Sequence, residues 1–469
     1  MSERIPFRIV EIGAPAAQHA RRPHDGRIHT RSFTGLYRNL RIGFAGVLFV
    51  LFFGTVWLSW DGRQAVLWDL ANSKFHIFGA TFWPQDFILL SALLIICAFG
   101  LFAITVFAGR VWCGYSCPQS VWTWLFMWCE KVSEGERNQR IRLAAAPWSL
   151  NKLARRTLKH GLWLTIGGLT GLTFVGYFTP IRPLAGELLS LQLGGVALFW
   201  VLFFTAATYL NAGWLREAVC MHMCPYARFQ SVMFDQDTLA VAYDPRRGES
   251  RGPRKKGSDP QAQGLGDCID CTLCVQVCPT GIDIRDGLQM ACIGCAACID
   301  ACDGVMDKMN YPRGLIGYTS ERTLQGAATH WLRPRLLGYV AALLVMIGAL
   351  FTALQLRPMV SLDVIKDRGL FRENAQGQVE NIYLLKVINK TGQPRRYQLR
   401  LLDADGFALH GKTTFDIAAG EISELPVSVA MLAERPASSS VELTFEVRDS
   451  DEPAIHSLAR SRFVAPLNR

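Results

Sequence analysis

Five long stretches with almost no charged residues constrain this chain more than any other feature. A run of about 18 or more apolar residues matches the thickness of the hydrocarbon core of a bilayer, and a backbone in lipid satisfies its own hydrogen bonds by forming a helix. We therefore expect five membrane-spanning helices. The third stretch is the shortest and is interrupted by glycines, so a buried soluble helix is the alternative there. The stretches are Ile42 to Trp60, Phe87 to Ala108, Leu162 to Phe178, Leu191 to Leu210 and Leu336 to Leu356.

The distribution of basic residues predicts the orientation of these helices. Lys and Arg number 8 before the first stretch, 9 in the loop after the second and 14 in the loop after the fourth, against 2 and 1 in the other two loops. Basic loops stay in the cytoplasm, so the N-terminal segment and both basic loops are expected inside and residues 357–469 outside. The net charge of +10 thus reflects membrane topology, and we expect no binding of nucleic acid.

Eight of the fourteen cysteines lie in two runs of identical spacing between Cys268 and Cys302. Three cysteines with two residues between each and the next wrap one cubane cluster, and the fourth cysteine reaches the neighbouring cluster. The runs therefore predict two 4Fe-4S clusters, each held by one of two crossed sets. The first cysteine set is Cys268, Cys271, Cys274 and Cys302. The second cysteine set is Cys278, Cys292, Cys295 and Cys298.

Two structural zinc sites are the alternative interpretation of these eight cysteines. Zinc needs only four ligands, and its ligand pairs are normally separated by a longer segment. One departure from the usual ferredoxin pattern is that Cys278 is followed by Pro279 but Cys302 by Asp303. The turn after the second run is therefore expected to differ from the turn after the first.

A shorter motif, Cys-x-x-x-Cys-Pro, occurs twice, each time after two apolar stretches and before an aromatic segment. The first CxxxCP motif runs from Cys113 to Pro118, and the second from Cys220 to Pro225. This recurrence indicates a duplicated two-helix unit, with both motifs on the cytoplasmic side. On one helix, a spacing of four would place the two sulfurs of each motif on one face.

The thiols of these motifs have three possible roles: holding a soft metal ion, forming a reversible disulfide, or packing. Soft donors stand between the cysteines of the second motif, and thiolate and thioether ligands favour Cu(I) among biological metals. The candidate copper ligands, and with them the candidate catalytic cysteines, follow from this chemistry. They are Cys113, Cys117, Cys220 and Cys224, joined by Met221, His222 and Met223.

The last part of the chain alternates between short apolar-patterned segments and turn formers. Seven such segments with no cysteine among them predict an antiparallel sandwich of immunoglobulin type that lacks the usual disulfide. We expect this domain to contact a partner outside the membrane. The segments are Val360 to Ile365, Val379 to Ile388, Tyr397 to Leu402, Lys412 to Ile417, Ile422 to Val429, Val441 to Val447 and His456 to Val464.

The predicted fold class is a multi-domain integral membrane protein: a five-span α-helical membrane domain, an inserted bacterial ferredoxin-like domain with two 4Fe-4S clusters, and a C-terminal all-β sandwich. The predicted segments are a basic cytoplasmic N-terminal segment (1–41), a four-span membrane domain built as a two-fold repeat with the first CxxxCP motif (42–210), the second CxxxCP motif with a basic linker (211–260), the cytoplasmic ferredoxin-like domain (261–335), the fifth span (336–356) and the periplasmic immunoglobulin-like sandwich (357–469).

Three strings in this order, WCGYSCPQSVW, CMHMCPYARFQSVMFD and the eight-cysteine run, followed by a fifth span and a β-rich tail, resemble the cytochrome c oxidase accessory protein family, CcoG, also called FixG or RdxA. The likeness covers nearly the whole chain after the N-terminal segment. The membrane half is also similar to ferredoxin-bearing, quinol-linked proteins of the NapH and NosR type.

The resemblance implies a protein of the bacterial inner membrane that reduces Cu(II) to Cu(I) for the assembly of cbb3-type haem–copper oxidase. It implies 4Fe-4S ligation by the two cysteine sets and copper handling by Cys113, Cys117, Cys220 and Cys224. A copper role for Met221, His222 and Met223 rests on donor softness alone.

The expected mechanism is a short electron relay, in which a cytoplasmic donor reduces the clusters and Cu(II) near the paired thiols accepts one electron. Two other functions stay open: a quinol-linked membrane electron-transfer protein without a copper role, and a non-catalytic oxidase assembly scaffold. The expected partners are membrane lipid, oxidase subunits or copper chaperones and transporters, and a cytoplasmic electron donor. A homo-oligomer is compatible with the sequence.

Overall fold

The computed structural model describes residues 28–256, 264–374, 376–402, 405–432 and 440–466, without the side chain of Ser231. Most of the predicted N-terminal segment, and residues 257–263 at the junction of the basic linker with the ferredoxin-like domain, lie outside the described residues. The chain divides into two compact units. The first combines Met1–Ser59 with Leu90–Gly348, and the second combines Trp60–Leu89 with Ala349–Arg469.

Helices α1 to α14 follow one another through the described residues, and two π-helical segments, Tyr209–Leu215 and Val219–Met223, lie between α8 and α9. The helices are Leu36–Gly54, Phe87–Ala108, Val111–Tyr115, Pro118–Glu134, Arg137–Ala145, Leu150–Gly176, Ile181–Leu189, Gly195–Thr208, Pro225–Met233, Pro245–Gly248, Leu273–Gln276, Ala297–Met309, Glu321–Leu324 and Pro334–Gln355.

Four helical segments among the described residues are long and apolar enough to cross a membrane. They are Leu36–Trp57, Pro84–Ala108, Gly195–Leu215 and Pro334–Gln355. The membrane character of the chain is thus confirmed, and these four correspond to four of the five predicted spans.

The remaining predicted span, Leu162 to Phe178, forms the second half of α6. Its glycines are a packing surface: a Cβ added at Gly171 would stand 2.6 Å from the carbonyl oxygen of Val201, and one added at Gly167 would stand 3.2 Å from that of Thr205, both on α8. Small residues four apart allow two helix backbones to approach this closely, as in membrane helix pairs. These glycines and the basic first half of α6 lower its mean hydropathy, so it is not among the four.

The ferredoxin-like part of the first unit encloses its own small core. The antiparallel strands Ala240–Tyr243 and Ile316–Thr319 pair with each other and pack, together with α12, around the loops that carry the cysteine runs. Met306 on α12 is 1% exposed in this core. Helix α12 contains Cys302 and continues to Met309, because Asp303 continues a helix where a proline would remove a backbone donor.

The second unit contains the predicted β-sandwich. All seven predicted strands are present, with short additional strands at Arg372–Glu373 and Phe407–Gly411. In chain order, strands β1 to β16 are Ser59–Trp60, Arg63–Gln64, Val66–Asp69, Lys74–Ile77, Ala80–Phe82, Ala240–Tyr243, Ile316–Thr319, Val360–Lys366, Arg372–Glu373, Val379–Asn389, Arg395–Leu402, Phe407–Gly411, Thr414–Ile417, Ile422–Met431, Ser440–Asp449 and His456–Val464.

Two antiparallel sheets form this sandwich. One has the strand order β12-β14-β10-β8, with β9 paired to β10, and the other has the order β13-β11-β15-β16. Alternate residues of the long strands point inward, as the period of two requires. They bury four large aromatic side chains between the sheets: Tyr383, Tyr397, Phe445 and Phe463.

The segment between the first two predicted spans is also part of the second unit. It forms a three-stranded sheet from β3 to β5. Asp86, at the start of the second span, accepts hydrogen bonds from Arg357 at 2.6 Å and from Lys390 at 3.0 Å. This buried ion cluster joins residues more than 270 positions apart, and the sequence analysis did not predict it.

Candidate metal centres

The two cysteine runs fold into loops of the same conformation. In the first run Asp270 and Thr272 have φ values of 54° and 55°, and the equivalent residues of the second run, Gly294 and Ala296, have φ values of 65° and 58°. A left-handed conformation is uncommon for non-glycine residues and persists where the surroundings hold it. The repeated spacing in the sequence is therefore also a repeated loop in the structure.

The first cysteine set surrounds a cavity. All four members line it, and it holds about 360 Å³ of space not filled by atoms, counting space open to solvent. The pKa of Cys302 is raised to about 12, first by burial and then by the charges of Cys274, Cys268 and Cys271. Cys302 thus lies with the three cysteines of the other run, in the arrangement that the crossed scheme needs.

The second cysteine set surrounds a neighbouring cavity of about 350 Å³, measured in the same way and lined by all four members. Burial raises the pKa of Cys298 well above its usual value, and the charges of Cys295, Cys292 and Cys278 add to the shift. Cys274 of the first set also lines this cavity. The two cavities therefore share a wall.

Each cysteine set offers the four thiol ligands and the open space that a cubane needs. Four thiolates around one zinc ion lie about 3.8 Å apart, because each Zn–S bond is about 2.3 Å long. A cubane binds each thiolate to a different iron and so keeps the sulfurs farther apart. Within the described ranges, no three His, Cys, Asp or Glu side chains are grouped closely enough to hold a single metal ion. The residues of both sets fit 4Fe-4S clusters.

Each CxxxCP motif has its first cysteine in one helical turn and its second at the start of the next helix. Cys113 lies in α3 and Cys117 is the N-cap of α4. Cys220 lies in the π-helical turn Val219–Met223 and Cys224 is the N-cap of α9. The expectation that each pair shares one face of a continuous helix is wrong, because a proline at the first helical position forces the residue before it into an extended conformation.

The structure brings thiols of the two motifs together. Burial raises the pKa of Cys113 to about 12, and the charges of Cys117 and Cys220 contribute further increases. Burial also raises the pKa of Cys220 to about 11, with contributions from Cys117 and Cys224. The Cys113 thiol donates a hydrogen bond to Gln230 Oε1 at 3.4 Å, and Gln230 is fully buried on α9. The four thiols of the two motifs therefore lie in one neighbourhood, which we call the thiol cluster, although among the described residues no three of them are close enough to hold one ion together.

The soft donors between Cys220 and Cys224 lie differently from what the sequence suggested. His222 is exposed, and the side chain of Met223 is 63% exposed. Neither these two nor Met221 lines the cavity into which Cys220 opens. This cavity, which we call the thiol cavity, has about 460 Å³ of unfilled space measured as above.

The thiol cavity adjoins the cavity of the second cysteine set. Thr280 and Ile293 line both, and Thr280 Oγ1 lies 3.3 Å from Cys278 Sγ. The three cavities thus follow one another, with Cys274 between the first two and Thr280 and Ile293 between the last two. The spacing of the cysteines predicts the members of each set, but it does not predict this order in space.

Arg110 connects both CxxxCP motifs to the loop of the second cysteine set. Its guanidinium donates to the carbonyl oxygens of Met290 at 2.5 Å and Cys292 at 3.4 Å, and to the carbonyl oxygen of Ala227 on α9. The side chain is nine-tenths buried. Nothing in the sequence points to this role, because an arginine directly after an apolar stretch is already explained as a signal of membrane topology.

Gly114 lies against the same loop. A Cβ at this position would stand 2.8 Å from the carbonyl oxygen of Gly294 and 2.9 Å from Cys295 Cα. Cys113, next to it, packs on the small apolar cluster that contains Cys295. The first motif therefore touches the backbone of the second cysteine set directly. A glycine next to a cysteine was the only signal in the sequence.

Known proteins share both the cysteine-bearing part and the tail. Residues 215–321 match the family model of a 4Fe-4S dicluster domain, and residues 350–466 match that of the IG-like fold at the C-terminal of FixG. The chain is 40% identical over 407 residues to protein RdxA of Cereibacter sphaeroides, covering 83% of this chain and 86% of that protein. It is 37% identical over 430 residues to nitrogen fixation protein FixG of Rhizobium meliloti, covering 83% and 82%.

A solved structure is similar to a smaller part. The crystal structure of a FixG-related protein from Vibrio parahaemolyticus matches 23% of this chain and 98% of its own chain, with 31% identity and a TM-score of 0.21. The dicluster match and the apolar helices make the protein an iron–sulfur membrane protein with a role in electron transfer. By its identity to RdxA and FixG over more than four-fifths of its length, the chain belongs to the FixG/RdxA family.

Proposed function

We propose that this protein is a membrane cupric reductase, which reduces Cu(II) to Cu(I) for the copper centre of a cbb3-type oxidase. The observation that carries the proposal is the row of three adjoining cavities, of which the last contains a thiol of the CxxxCP cluster. When bound, 4Fe-4S clusters supply single electrons, in many cases at low potential.

The electron donor and the metal ion would reach opposite ends of this row of cavities. Cys271 of the first set is exposed, whereas every cysteine of the second set is at least partly buried. An external electron donor therefore meets the protein near Cys271. The second set faces the thiols, since Gly114 and Cys113 pack on the loop of Cys295.

The thiol cluster then provides the ligands that favour the product. Cu(II) gains one electron, which originates in a reduced cytoplasmic donor, and becomes Cu(I). Thiolate ligands stabilise Cu(I) more than Cu(II) because both the ligand and the ion are soft. The buried Arg110 next to Cys113 and Cys220 partly offsets the effect of burial on both thiols, which makes thiolate formation on metal binding easier.

We further propose that α6 crosses the membrane, with the ferredoxin-like domain in the cytoplasm and residues 357–469 in the periplasm. Arg110 follows the second span and Ala227 follows α8, yet the two form a hydrogen bond. Asp86 precedes the second span and Lys390 follows the last, yet the two form an ion pair. Residues in contact lie on the same side of a membrane, so an even number of spans must lie between them along the chain. For both pairs, that number is even only if α6 is a span.

Replacing both cysteines of the second motif tests the proposed function. The Cys220→Ser, Cys224→Ser variant, purified without oxygen and reduced, should retain the cluster EPR signals of the parent but lose most of its Cu(II) reduction. Cys97→Ser, a change in the second span outside both motifs, serves as the matched control and should reduce Cu(II) normally. A double variant with intact clusters that reduces Cu(II) as fast as the parent would show that the thiols are not the site.

A further inference from the structure

The thiol cavity contains a sulfur atom that the sequence analysis did not consider. Among the described residues that line it, two carry sulfur: Cys220 and Met127. Met127 lies on α4, on the same face as Gln119 and Thr123, which also line the cavity. Residues three or four apart share a helix face, so this face of α4 forms one wall and places the thioether inside.

The other walls position this sulfur pair next to the second cysteine set. Thr280 and Ile293 separate the thiol cavity from the cavity of that set. Residues before α1 form a further wall, where Ile28 lines the cavity and Thr30 Oγ1 lies 3.7 Å from Met127 Sδ. The sulfur pair is therefore enclosed by protein on several sides.

The charged side chains on the cavity walls are compatible with a Cys220 thiolate that binds a monovalent cation. The guanidinium of Arg216 shares Glu130 with Arg140, so it keeps part of its positive charge, which favours a thiolate in the cavity. Arg41 is nine-tenths buried and donates to the carbonyl oxygen of Gly114 at 3.2 Å. A thiolate at Cys220 would balance Arg41, and Glu217 on the wall would balance a bound Cu(I).

We propose that Met127 and Cys220 form a two-sulfur site for Cu(I) in the thiol cavity, in place of Met221, His222 and Met223, which do not line that cavity. The proposal rests on the proposed cupric reductase function and names the site where its product is held. Thiolate and thioether donors suit Cu(I), and the cavity walls cover the ion on several sides. Met223, at 63% exposure, offers no such protection.

Met127→Leu and Met223→Leu form a matched pair of variants in the full-length protein. Each removes a thioether and keeps a flexible apolar side chain of similar size, and cluster absorbance and EPR verify folding. Cu(I) is supplied directly under anaerobic conditions, and its affinity is measured by competition with a chromophoric Cu(I) chelator. We expect Met127→Leu to weaken Cu(I) binding by about tenfold or more and to reduce the sulfur coordination seen by X-ray absorption, with Met223→Leu unchanged.

The results separate this site from the proposed function. A parent-like Cu(I) affinity in Met127→Leu, or a loss confined to Met223→Leu, would overturn the site even if the Cys220→Ser, Cys224→Ser variant has lost Cu(II) reduction. If that double variant reduces Cu(II) normally, the proposed function fails. The Cu(I) competition still decides the site in that case, because it needs no electron transfer.

Discussion

Gly114 lies so close to Cys295 that a Cβ at position 114 would be 2.9 Å from Cys295 Cα. Atoms at that distance clash, so only glycine allows the first CxxxCP motif to rest on the loop of the second cysteine set. The contact joins residues that are 181 positions apart. It is a direct contact between the first CxxxCP motif and the iron–sulfur part of the chain.

Gly114→Ala should push these two segments apart. Electron transfer between separated centres becomes slower as the distance grows, so we expect Cu(II) reduction to fall severalfold. Stopped-flow measurement of Cu(II) reduction by pre-reduced protein checks this. Gly317→Ala is the control, because a Cβ at Gly317 meets nothing within 4 Å. Equal rates in both variants would show that the contact has no part in electron transfer.

Arg110→Lys should destabilise the junction although it keeps the positive charge. A lysine cannot reproduce the planar fork that reaches the carbonyls of Met290, Cys292 and Ala227, and unpaired buried carbonyls cost about 1–3 kcal/mol each. We expect loss of cluster absorbance on heating at a clearly lower temperature than in the parent. Arg313→Lys, at a surface pair with Asp307, should change the midpoint little. If both variants melt like the parent, Arg110 does not hold the CxxxCP motifs to the loop of the second cysteine set.

Asp300→Ala should loosen the start of α1. Its N-cap, Gly35, has no side chain to accept the free N–H groups, and Asp300 of α12 accepts them instead, from Tyr37 at 3.2 Å and Arg38 at 2.7 Å. Loss of a capping side chain costs about 1 kcal/mol. Amide hydrogen exchange at Tyr37 and Arg38 should become faster.

Two comparisons make this test specific to capping. Asp300→Asn should retain most of the protection, because asparagine caps about as well as aspartate. Asp307→Ala, on the same helix but at the surface, should leave these two amides unchanged. Equal exchange in Asp300→Ala and the parent would exclude a cap between the two elements.

The turn of the β-sandwich in which Asp449 accepts backbone hydrogen bonds should become less stable in acid. Burial opposes ionisation of Asp449, but hydrogen bonds from Arg395 and the backbone of Asp451 outweigh it and hold its pKa below the usual value. The pKa of Asp449 is lower in the folded protein than in the unfolded chain, where it is about 4. Ionised Asp449 therefore stabilises the turn at pH values above that unfolded pKa. This stabilisation is lost as the pH falls through the still lower folded pKa.

Hydrogen exchange measures this loss locally. Protection of the amides of Asp451 and Glu452, which donate to Asp449 Oδ1, should fall between about pH 5 and pH 2 after correction for the intrinsic rates. Asp449→Asn should be less protected at pH 7, by about 1–3 kcal/mol, and should show a smaller acid dependence. An unchanged acid dependence in Asp449→Asn would assign it to other carboxyl groups.

Patterns within short segments of the sequence predicted most of the architecture. The spacing of the eight cysteines named both cysteine sets, whose members the structure groups around two cavities. Alternation of apolar residues located the seven strands of the sandwich. The two cysteines of each CxxxCP motif do not share one helix face as expected, because Pro118 and Pro225 start new helices, and the spacing alone does not reveal that break.

The amino-acid sequence by itself determined the membrane character of this protein, its two cluster-binding runs and its β-sandwich, because each follows from a local period or spacing. Only the tertiary structure decided that Gly114 rests on Cys295 and that Asp300 caps α1. It also decided that Met127 and Cys220 line one cavity and that Asp86 pairs with Lys390. These contacts join residues that are far apart in the sequence. They depend on how helices and loops pack after local structure has formed, and a local sequence period does not contain that information.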